Sequence, residues 1–346
     1  MGGSARTGYE NSCVMSETKN ICLRLSSLVI GYPQKEILPP LSATVRKGEI
    51  VSVIGHNGVG KSTLLRVLAG ITAPLGGSVH FGNRNIRDIG RREFALLAGY
   101  VSTDQVNAPN MRIFDLVAAG RFSHTNWIGT LTPSDVNQIK GSIDLVGLTG
   151  LAERYISEVS DGERQRAMIA RVLAQNTDIL ILDEPTSFLD IRNRNEVLHL
   201  LHRLSREEGK TIIVSTHDLQ SALSESDRIW LLTAEGITEG APEDLVLSGE
   251  LAKMFVDAHV RFRKSDGTFF TFREERGTVA VEGTGLHAQW TVRAMRRLGF
   301  RITDNTESAD FLVKCSNAGE WRLHRDGTML IFNSVYDLAG FVNENC

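Results

Sequence analysis

The stretch Val51-Ser52-Val53-Ile54-Gly55-His56-Asn57-Gly58-Val59-Gly60-Lys61-Ser62-Thr63 carries the spacing G-x-x-x-x-G-K-[ST], and those residue types in that order can cradle a phosphate chain. Gly55, Gly58 and Gly60 let the backbone curl without Cβ clashes, so successive N–H groups, Asn57 included, can converge on one anion. A helix starting near Lys61 adds its positive dipole end. Lys61 supplies a point charge to the β/γ-phosphates, and the hydroxyl of Ser62, backed by Thr63, offers a ligand for Mg²⁺.

Further along, Ile179-Leu180-Ile181-Leu182 is wholly apolar and runs into Asp183-Glu184. Such a strand belongs in the middle of a sheet covered on both faces. Acids at its C-terminal end sit where ligands bind in α/β folds. Asp183 can reach Mg²⁺, and Glu184 can orient or deprotonate an attacking water. Thr211–Ser215 is another buried strand, ending in Thr216-His217-Asp218, where His217 could meet a terminal phosphate across the sheet edge. Val159-Ser160-Asp161-Gly162-Glu163 precedes a helix read as Arg164 to Gln175, and its small residues make an anion-receptive end. Tyr32, just after the first strand, is a candidate platform for stacking a base.

These residues need a scaffold, and periodicity supplies one. Ile21–Ile30 and Leu41–Val45 read as strands, and Lys47-Gly48-Glu49 turns the chain into the phosphate-loop strand. An antiparallel approach followed by a phosphate loop suits the edge of a mixed sheet. The helix from Lys61 to Ala69 stops at Gly70, and Ser78–Phe81 is the next strand. Beyond Arg91 the pattern turns helical, clearest at Phe114–Ala119 and Pro133–Val146, which suggests a helical insertion between two halves of a sheet domain. Asn193–Leu204 is an amphipathic helix.

Taken together, the motifs resemble the ATP-binding cassette of ABC transporters over roughly Ile21 to Val256. The resemblance implies a P-loop NTPase of α/β class: a RecA-like mixed-sheet core with an antiparallel β part and a helical subdomain at about residues 100–160. It makes Tyr32 the adenine-stacking aromatic, Gly55–Thr63 the Walker A loop, and Asp183 and Glu184 the Walker B acid and catalytic glutamate. Val159–Glu163 matches the signature motif, with Asp161 in place of the commonest glycine. Ser187-Phe188-Leu189-Asp190 looks like the D-loop and His217 like the switch histidine. Lys61, Glu184 and His217 are thus the expected catalytic residues, with ATP and Mg²⁺ bound. Ser160, Gly162 and Glu163 would act in trans on the ATP of a second copy, which implies a homodimer working on polytopic permease subunits and, indirectly, a substrate-binding protein. Ser160–Arg166, Pro185–Asp190 and Asp115–Arg121 are similar to importer ATPases for iron–siderophore, haem or cobalamin. The family's Mg²⁺-contacting glutamine falls near Thr103 here, so either Gln105 serves from a shifted loop or Thr103 ligates through its hydroxyl or a water.

Composition bounds the alternatives. The chain has 346 residues, 42 % hydrophobic and 23 % charged, with a formal net charge of −3, which leaves no electrostatic footprint for nucleic acid. The cysteines Cys13, Cys22, Cys315 and Cys346 are scattered without metal-ligand spacing and read as reduced cytosolic thiols. No apolar run reaches the roughly 18 residues of a membrane helix. Work at a membrane would then be done from outside the bilayer, and the resemblance implies a peripheral place at the cytoplasmic face of the inner membrane. Residues 1–19 read as a disordered lead, with Met15 as an alternative start. An exporter cassette, or a soluble ABC ATPase acting on ribosomes or DNA, are the competing readings. The latter usually needs two cassettes or a long coiled coil, and this chain shows one phosphate loop and no sustained heptads.

With the cassette placed at residues 20–257, residues 258–346 form a separate small α+β accessory domain. Arg261–Phe272 reads as a hairpin turning at Asp266-Gly267. Thr278–Val281, Phe311–Lys314 and Trp321–Phe332 read as strands, the last turning at Asp326-Gly327. Leu286–Leu298 and Ser334–Val342 read as helices. No nucleophile–base pair, metal cluster or phosphate loop stands out in it.

Overall fold

The computed structural model describes residues 20–103, 110–125, 129–254, 260–263, 267–271, 275–316, 319–325 and 327–345. The chain divides into two compact units: Met1–Val256 with Phe262–Thr268, and Asp257–Arg261 with Phe269–Cys346.

At the centre of the large unit is a six-stranded sheet. Its order is Gly236–Gly240, Arg228–Thr233, Ile50–Gly55, Thr211–Ser215, Ile179–Asp183, Ala98–Val101. All neighbours run parallel except the antiparallel edge strand Gly236–Gly240. The phosphate-loop strand is therefore interior, not near an edge as its antiparallel approach suggested. That approach belongs to a different sheet: Leu41–Arg46 and Ile21–Val29 pair with each other and join Gly76–Phe81 and Arg84–Asn85 in a four-stranded antiparallel layer.

The strands Ile50–Gly55, Ile179–Asp183 and Thr211–Ser215 are buried along their whole length, and the two-residue pleat sends alternate side chains into separate cores. Leu180, Leu182, Ile212 and Val214 face one core with the helices Pro133–Leu145, Asp161–Ala174 and Ile191–Arg206. Ile179, Ile181, Ile213, Val51 and Val53 face the other, with the helix Lys61–Leu68 and the antiparallel layer. This double coverage explains why the strands read as continuous apolar runs rather than alternating ones.

The helical part lies between two strands of the main sheet, Ala98–Val101 and Ile179–Asp183, and contains Ile113–Ala118, Pro133–Leu145 and Asp161–Ala174. Thr132 caps the second of these: its hydroxyl accepts from the Asp135 N–H, while the Asp135 carboxylate accepts from the Thr132 N–H. Arg121 is buried against the same carboxylate, its Nε donating at 2.8 Å, and its Nη1 donates to the Ala174 carbonyl at 2.9 Å. Three hydrogen-bonding partners thus pin one helix start to the end of another.

In the small unit a five-stranded sheet has the order Phe300–Ile302, Gly277–Glu282, Phe311–Cys315, Trp321–Arg325, Thr328–Phe332. The first three are parallel and the last two antiparallel additions. Phe300–Ile302 was not read from sequence, being only three residues long. The helices Gly285–Arg297 and Val335–Glu344 cover one face, where Val279, Met295, Phe311, Val313, Leu323 and Leu338 make a separate core. The other hairpin pairs Val260–Arg263 with Thr268–Thr271. Asp266 and Asp326, the first residues of both expected turns, lie outside the described residues, as do Cys13 and Cys346. Cys22 and Cys315 are free thiols. Among the described residues no helix is long and apolar enough to cross a membrane.

Candidate nucleotide site

The site is built where three neighbouring parallel strands end together. Gly55 closes the phosphate-loop strand, and a Cβ there would sit 2.6 Å from the Leu232 carbonyl oxygen of the adjacent strand. Gly58 and Gly60 take φ of 80° and 114°, a region open to glycine and strained for other residues. The loop then runs straight into the helix Lys61–Leu68, for which Gly60 stands as N-cap. Asn57 is exposed on the loop, and Thr63 is half-buried on the helix behind it.

The Lys61 side chain is buried, and its Nζ donates to the carbonyls of Gly55 at 2.9 Å and His56 at 3.3 Å. Burial pulls its pKa down, and the nearby Glu184 and Asp183 carboxylates push it back up. Asp183, 1 % exposed, gathers hydroxyls. Ser62 Oγ donates to its Oδ1 at 3.1 Å, Ser215 Oγ to the same oxygen at 2.7 Å, and Tyr100 OH to its Oδ2 at 3.3 Å. Burial and the Asp183 charge push the Tyr100 phenol up to about 12, so it stays a donor at neutral pH.

Glu184 is held from several directions. Its N–H donates to Ser215 Oγ at 2.9 Å, and its Oε2 accepts from Ser187 Oγ at 2.9 Å. His217 Nδ1 stands 3.5 Å from that same oxygen. The Glu184 backbone is left-handed, with φ of 48°, a conformation that costs about 1–3 kcal/mol in a non-glycine residue and persists where surroundings impose it. Lys61, Ser62, Asp183, Glu184 and His217 are thereby brought to one end of one sheet. Tyr32 presents an exposed ring and pairs with Lys35 in a two-residue ladder.

The signature segment starts its helix earlier than read from sequence, at Asp161 rather than Arg164, because Ser160 is the N-cap. The Glu163 N–H donates to Ser160 Oγ, while Glu163 Oε2 accepts from the Ser160 N–H at 2.8 Å and hydroxyl at 2.9 Å. Those bonds hold the Glu163 carboxyl below its usual range. Glu163 thus secures the helix start, and Ser160 and Gly162 are the residues left at its tip. At Gly162 an added Cβ would come within 2.8 Å of the Asn193 Cβ, so the glycine lets two helix starts touch. Asp190 caps the second of these, accepting from the Asn193 N–H at 2.8 Å.

Thr103 is exposed at the end of its strand, and Gln105 lies outside the described residues. Sequence reasoning missed Tyr100 and Ser215 and gave Ser187 no role. Ser215 had a signal, being a hydroxyl at the end of an apolar strand; Tyr100 had none, since its partner is 83 residues away. The paired oxygen donors of Ser62 and Asp183 fit Mg²⁺, a hard cation that takes few protein ligands beside substrate phosphates.

A glycine cradle, a buried lysine and an oriented glutamate at strand ends define a phosphate-loop nucleotide hydrolase. Residues 38–187 match the ABC transporter family, and residues 276–343 match the iron ABC transporter C-terminal domain. The iron(3+)-hydroxamate import ATP-binding protein FhuC of Bacillus subtilis (strain 168) is 35 % identical over 240 residues, spanning 69 % of this chain and 89 % of FhuC. A solved ABC transporter of metal-chelate type, in an inward-facing conformation, superposes with a TM-score of 0.62 at 28 % identity, over 72 % of this chain and 96 % of that one. The dimeric bacterial ABC transporter cassette MJ0796 superposes with a TM-score of 0.56 at 25 % identity, over 64 % of this chain and 98 % of its own. The chain belongs to the ABC transporter family, as one of its ATP-binding, ATP-hydrolysing proteins.

Proposed function

We propose that this chain is the ATPase subunit of an importer for an iron chelate, driving separate polytopic permease subunits from the cytoplasmic face of the inner membrane. The cargo class is supported by the C-terminal match to an iron transporter domain and by the import named for FhuC. The cassette itself holds no cargo pocket in this reading; recognition falls to the permease and, beyond it, to a substrate-binding protein.

The observation that carries the ATPase reading is the restraint on Glu184 by Ser215, Ser187 and His217, next to the Lys61 loop. Tyr32 stacks the adenine, and the Gly55–Thr63 loop, with Asn57, Gly58 and Gly60, wraps the phosphates. Lys61 exchanges the loop carbonyls for β/γ-phosphate oxygens. Ser62 and Asp183 hold Mg²⁺, which when bound neutralises phosphate charge. Glu184 takes a proton from the attacking water, and His217 steadies the carboxylate and the terminal phosphate.

The Ser160–Gly162 tip completes the site from a second copy, so two chains sandwich the nucleotides. Phe188 and Ile191 are large apolar side chains exposed on the D-loop side, as a face that closes against a partner requires. Glu184→Gln in the full-length protein is expected to keep MgATP binding and to dimerise with ATP. Its turnover should fall by about 10²–10⁴-fold, the range for a lost general base. Hydrolysis near the wild-type rate would sink the role given to Glu184. For cargo, the permease that co-purifies from detergent-solubilised membrane should, once reconstituted with this chain, take up a ferric chelate on adding ATP. ATP-driven efflux instead would favour an exporter.

A further inference from the structure

Among the described residues, the small unit leaves one sheet edge bare. Thr328-Met329-Leu330-Ile331-Phe332 is the last strand of its five-stranded sheet and contains no charge and no proline. Exposed edges are usually blunted, because unpaired N–H and C=O groups template pairing with another strand. Three other edge strands are blunted. Phe300–Ile302, at the opposite side of the same sheet, is short and carries Arg301 in an ion pair with Glu275. In the large unit the Thr44 N–H on the edge strand Leu41–Arg46 donates to Glu239 at 3.1 Å. The Tyr100 carbonyl on the edge strand Ala98–Val101 accepts from Arg171 at 3.4 Å.

Among the described residues Thr328–Phe332 has no such cover. Its register with the preceding strand is Arg325↔Thr328, His324↔Met329, Leu323↔Leu330, Arg322↔Ile331 and Trp321↔Phe332. Two residues separate Arg325 from Thr328, so that pair closes the hairpin with hydrogen bonds, and bonded pairs then alternate along the ladder. Thr328, Leu330 and Phe332 turn their backbone groups inward, and Met329 and Ile331 turn theirs out to the free edge. Among the described residues nothing meets those outward groups. The Met329 and Ile331 side chains are 50 % and 53 % exposed.

We propose that this edge pairs with the same edge of a second copy of the chain, antiparallel and two-fold symmetric about Leu330. The segment is self-complementary in that register. Met329 of one copy faces Ile331 of the other, twice, and those are the residues whose N–H and C=O point outward, so each facing pair exchanges hydrogen bonds. Leu330 sits on the axis opposite its own copy as a non-hydrogen-bonded pair, about 4.5 Å apart at Cα. An isologous two-fold contact needs this reciprocity. A second copy is the fitting occupant because the nucleotide site already calls for one. In that respect the inference rests on the reading above. It differs in needing no nucleotide: the tails join the two chains, and ATP then opens and closes the cassettes of an already paired molecule.

The test uses the nucleotide-free full-length protein. Sedimentation should show a dimer, and Ile331→Lys should weaken it by roughly tenfold or more in dissociation constant, as for a central interface residue. Met329→Pro should do the same while leaving the ladder to Trp321–Arg325 intact, since the lost N–H faces outward. Mild oxidation of Leu330→Cys should give an inter-chain disulfide absent from the wild-type protein, because the axial spacing suits one. A monomer at tens of micromolar by the same estimate of interface strength, a dimer unmoved by Ile331→Lys and Met329→Pro, or cross-linking of Leu330→Cys only to the permease would each overturn the proposal. ATP-driven dimerisation of Glu184→Gln combined with Ile331→Lys separates the two ideas. If it persists while the nucleotide-free dimer is lost, both stand. If it fails while the nucleotide-free dimer of the Ile331 protein holds, the cassette reading is at fault and not the tail.

Discussion

The largest sheets of the two units are both parallel at their centre, yet they are finished differently. In the large unit the central strands are buried end to end. Helices or a second sheet cover both faces, and charge appears at a C-terminal end, as Asp183-Glu184, beside Gly55 and Ser215. In the small unit the strands alternate, as in Trp321–Arg325 and Phe311–Cys315, because helices cover only one face. Its Glu282 strand end is occupied by an ion pair with Lys314 at 3.0 Å. The same parallel topology thus makes a site for chemistry where double coverage confines charge to a strand end. The small sheet keeps its free surface along a face and an edge, which suits contact rather than chemistry.

The largest effect expected from breaking this division is at Lys61. Lys61→Ala removes the buried cation at the cradle and leaves Asp183 and Glu184 without its charge. MgATP binding, measured by fluorescent nucleotide titration, should become undetectable at concentrations that saturate the wild-type protein. Retained binding would mean that the loop's N–H groups alone grip the phosphates.

Gly162→Ala should come next. A Cβ there collides with Asn193, which is itself tied back to Asp190 by a 3.1 Å hydrogen bond, so the helix start must shift. A displacement of this kind costs on the order of 10²-fold in rate when it misplaces a group touching the transition state. With the tip acting on the partner's nucleotide, as proposed, turnover should fall while MgATP affinity of the monomer stays unchanged. An affinity loss equal to the rate loss would place Gly162 in the wrong site.

Much of the cassette was legible in sequence, and the reason is locality. The phosphate loop, the acids after an apolar strand and the capped helices are each written in a dozen consecutive residues, so spacing alone locates Lys61, Asp183 and Glu184. What was not legible comes from residues far apart in the chain. The interior position of the Ile50–Gly55 strand depends on strands at 179–183, 211–215 and 228–233 closing around it. The hydroxyls of Tyr100 and Ser215 acquire roles only from meeting Asp183. The helix start at Ser160 was misplaced by three residues because its capping box competes with the charged run that follows. In the small unit a three-residue strand carries too little pattern to see, and the bare edge shows only once the strand order is known.

A smaller effect, on stability rather than rate, concerns the helical part. The Asp135 carboxyl is held down to about 2, first by the Thr132 hydroxyl and backbone N–H and then by Arg121. A folded pKa below the ordinary value of 3.8 means stability that is fully present above about pH 4 and lost as pH falls toward 2. Asp135→Asn should lower the neutral-pH melting temperature by roughly 5 °C and flatten the acid limb between those values. An unchanged acid limb would show that other carboxylates set it. ATP turnover at neutral pH and 25 °C should change little, since the pair lies away from Lys61 and Glu184.

The smallest effect on catalysis should follow from the largest deletion. The sequence reading places the boundary at 257/258, and Phe262–Thr268 groups with the large unit. A chain ending at Thr271 keeps that segment and both strands of its hairpin, and removes the five-stranded sheet with its own core. Every residue placed at the nucleotide, from Tyr32 to His217, precedes the cut. The small unit's core shares no residue with the two cores of the large unit, so losing it should leave the large unit folded. MgATP binding should be unchanged, and ATPase activity at saturating protein should stay within about twofold of full length, the scatter expected when no contact to the transition state is lost. At low protein concentration the truncated chain should lag, because without the Thr328–Phe332 edge its copies meet only through nucleotide. Activity that is concentration-dependent for the truncated chain and flat for the full chain would sharpen the contrast between a sheet that reacts and a sheet that joins. A folded truncation inactive at every concentration would erase it, by showing that the small unit belongs to the catalytic machine.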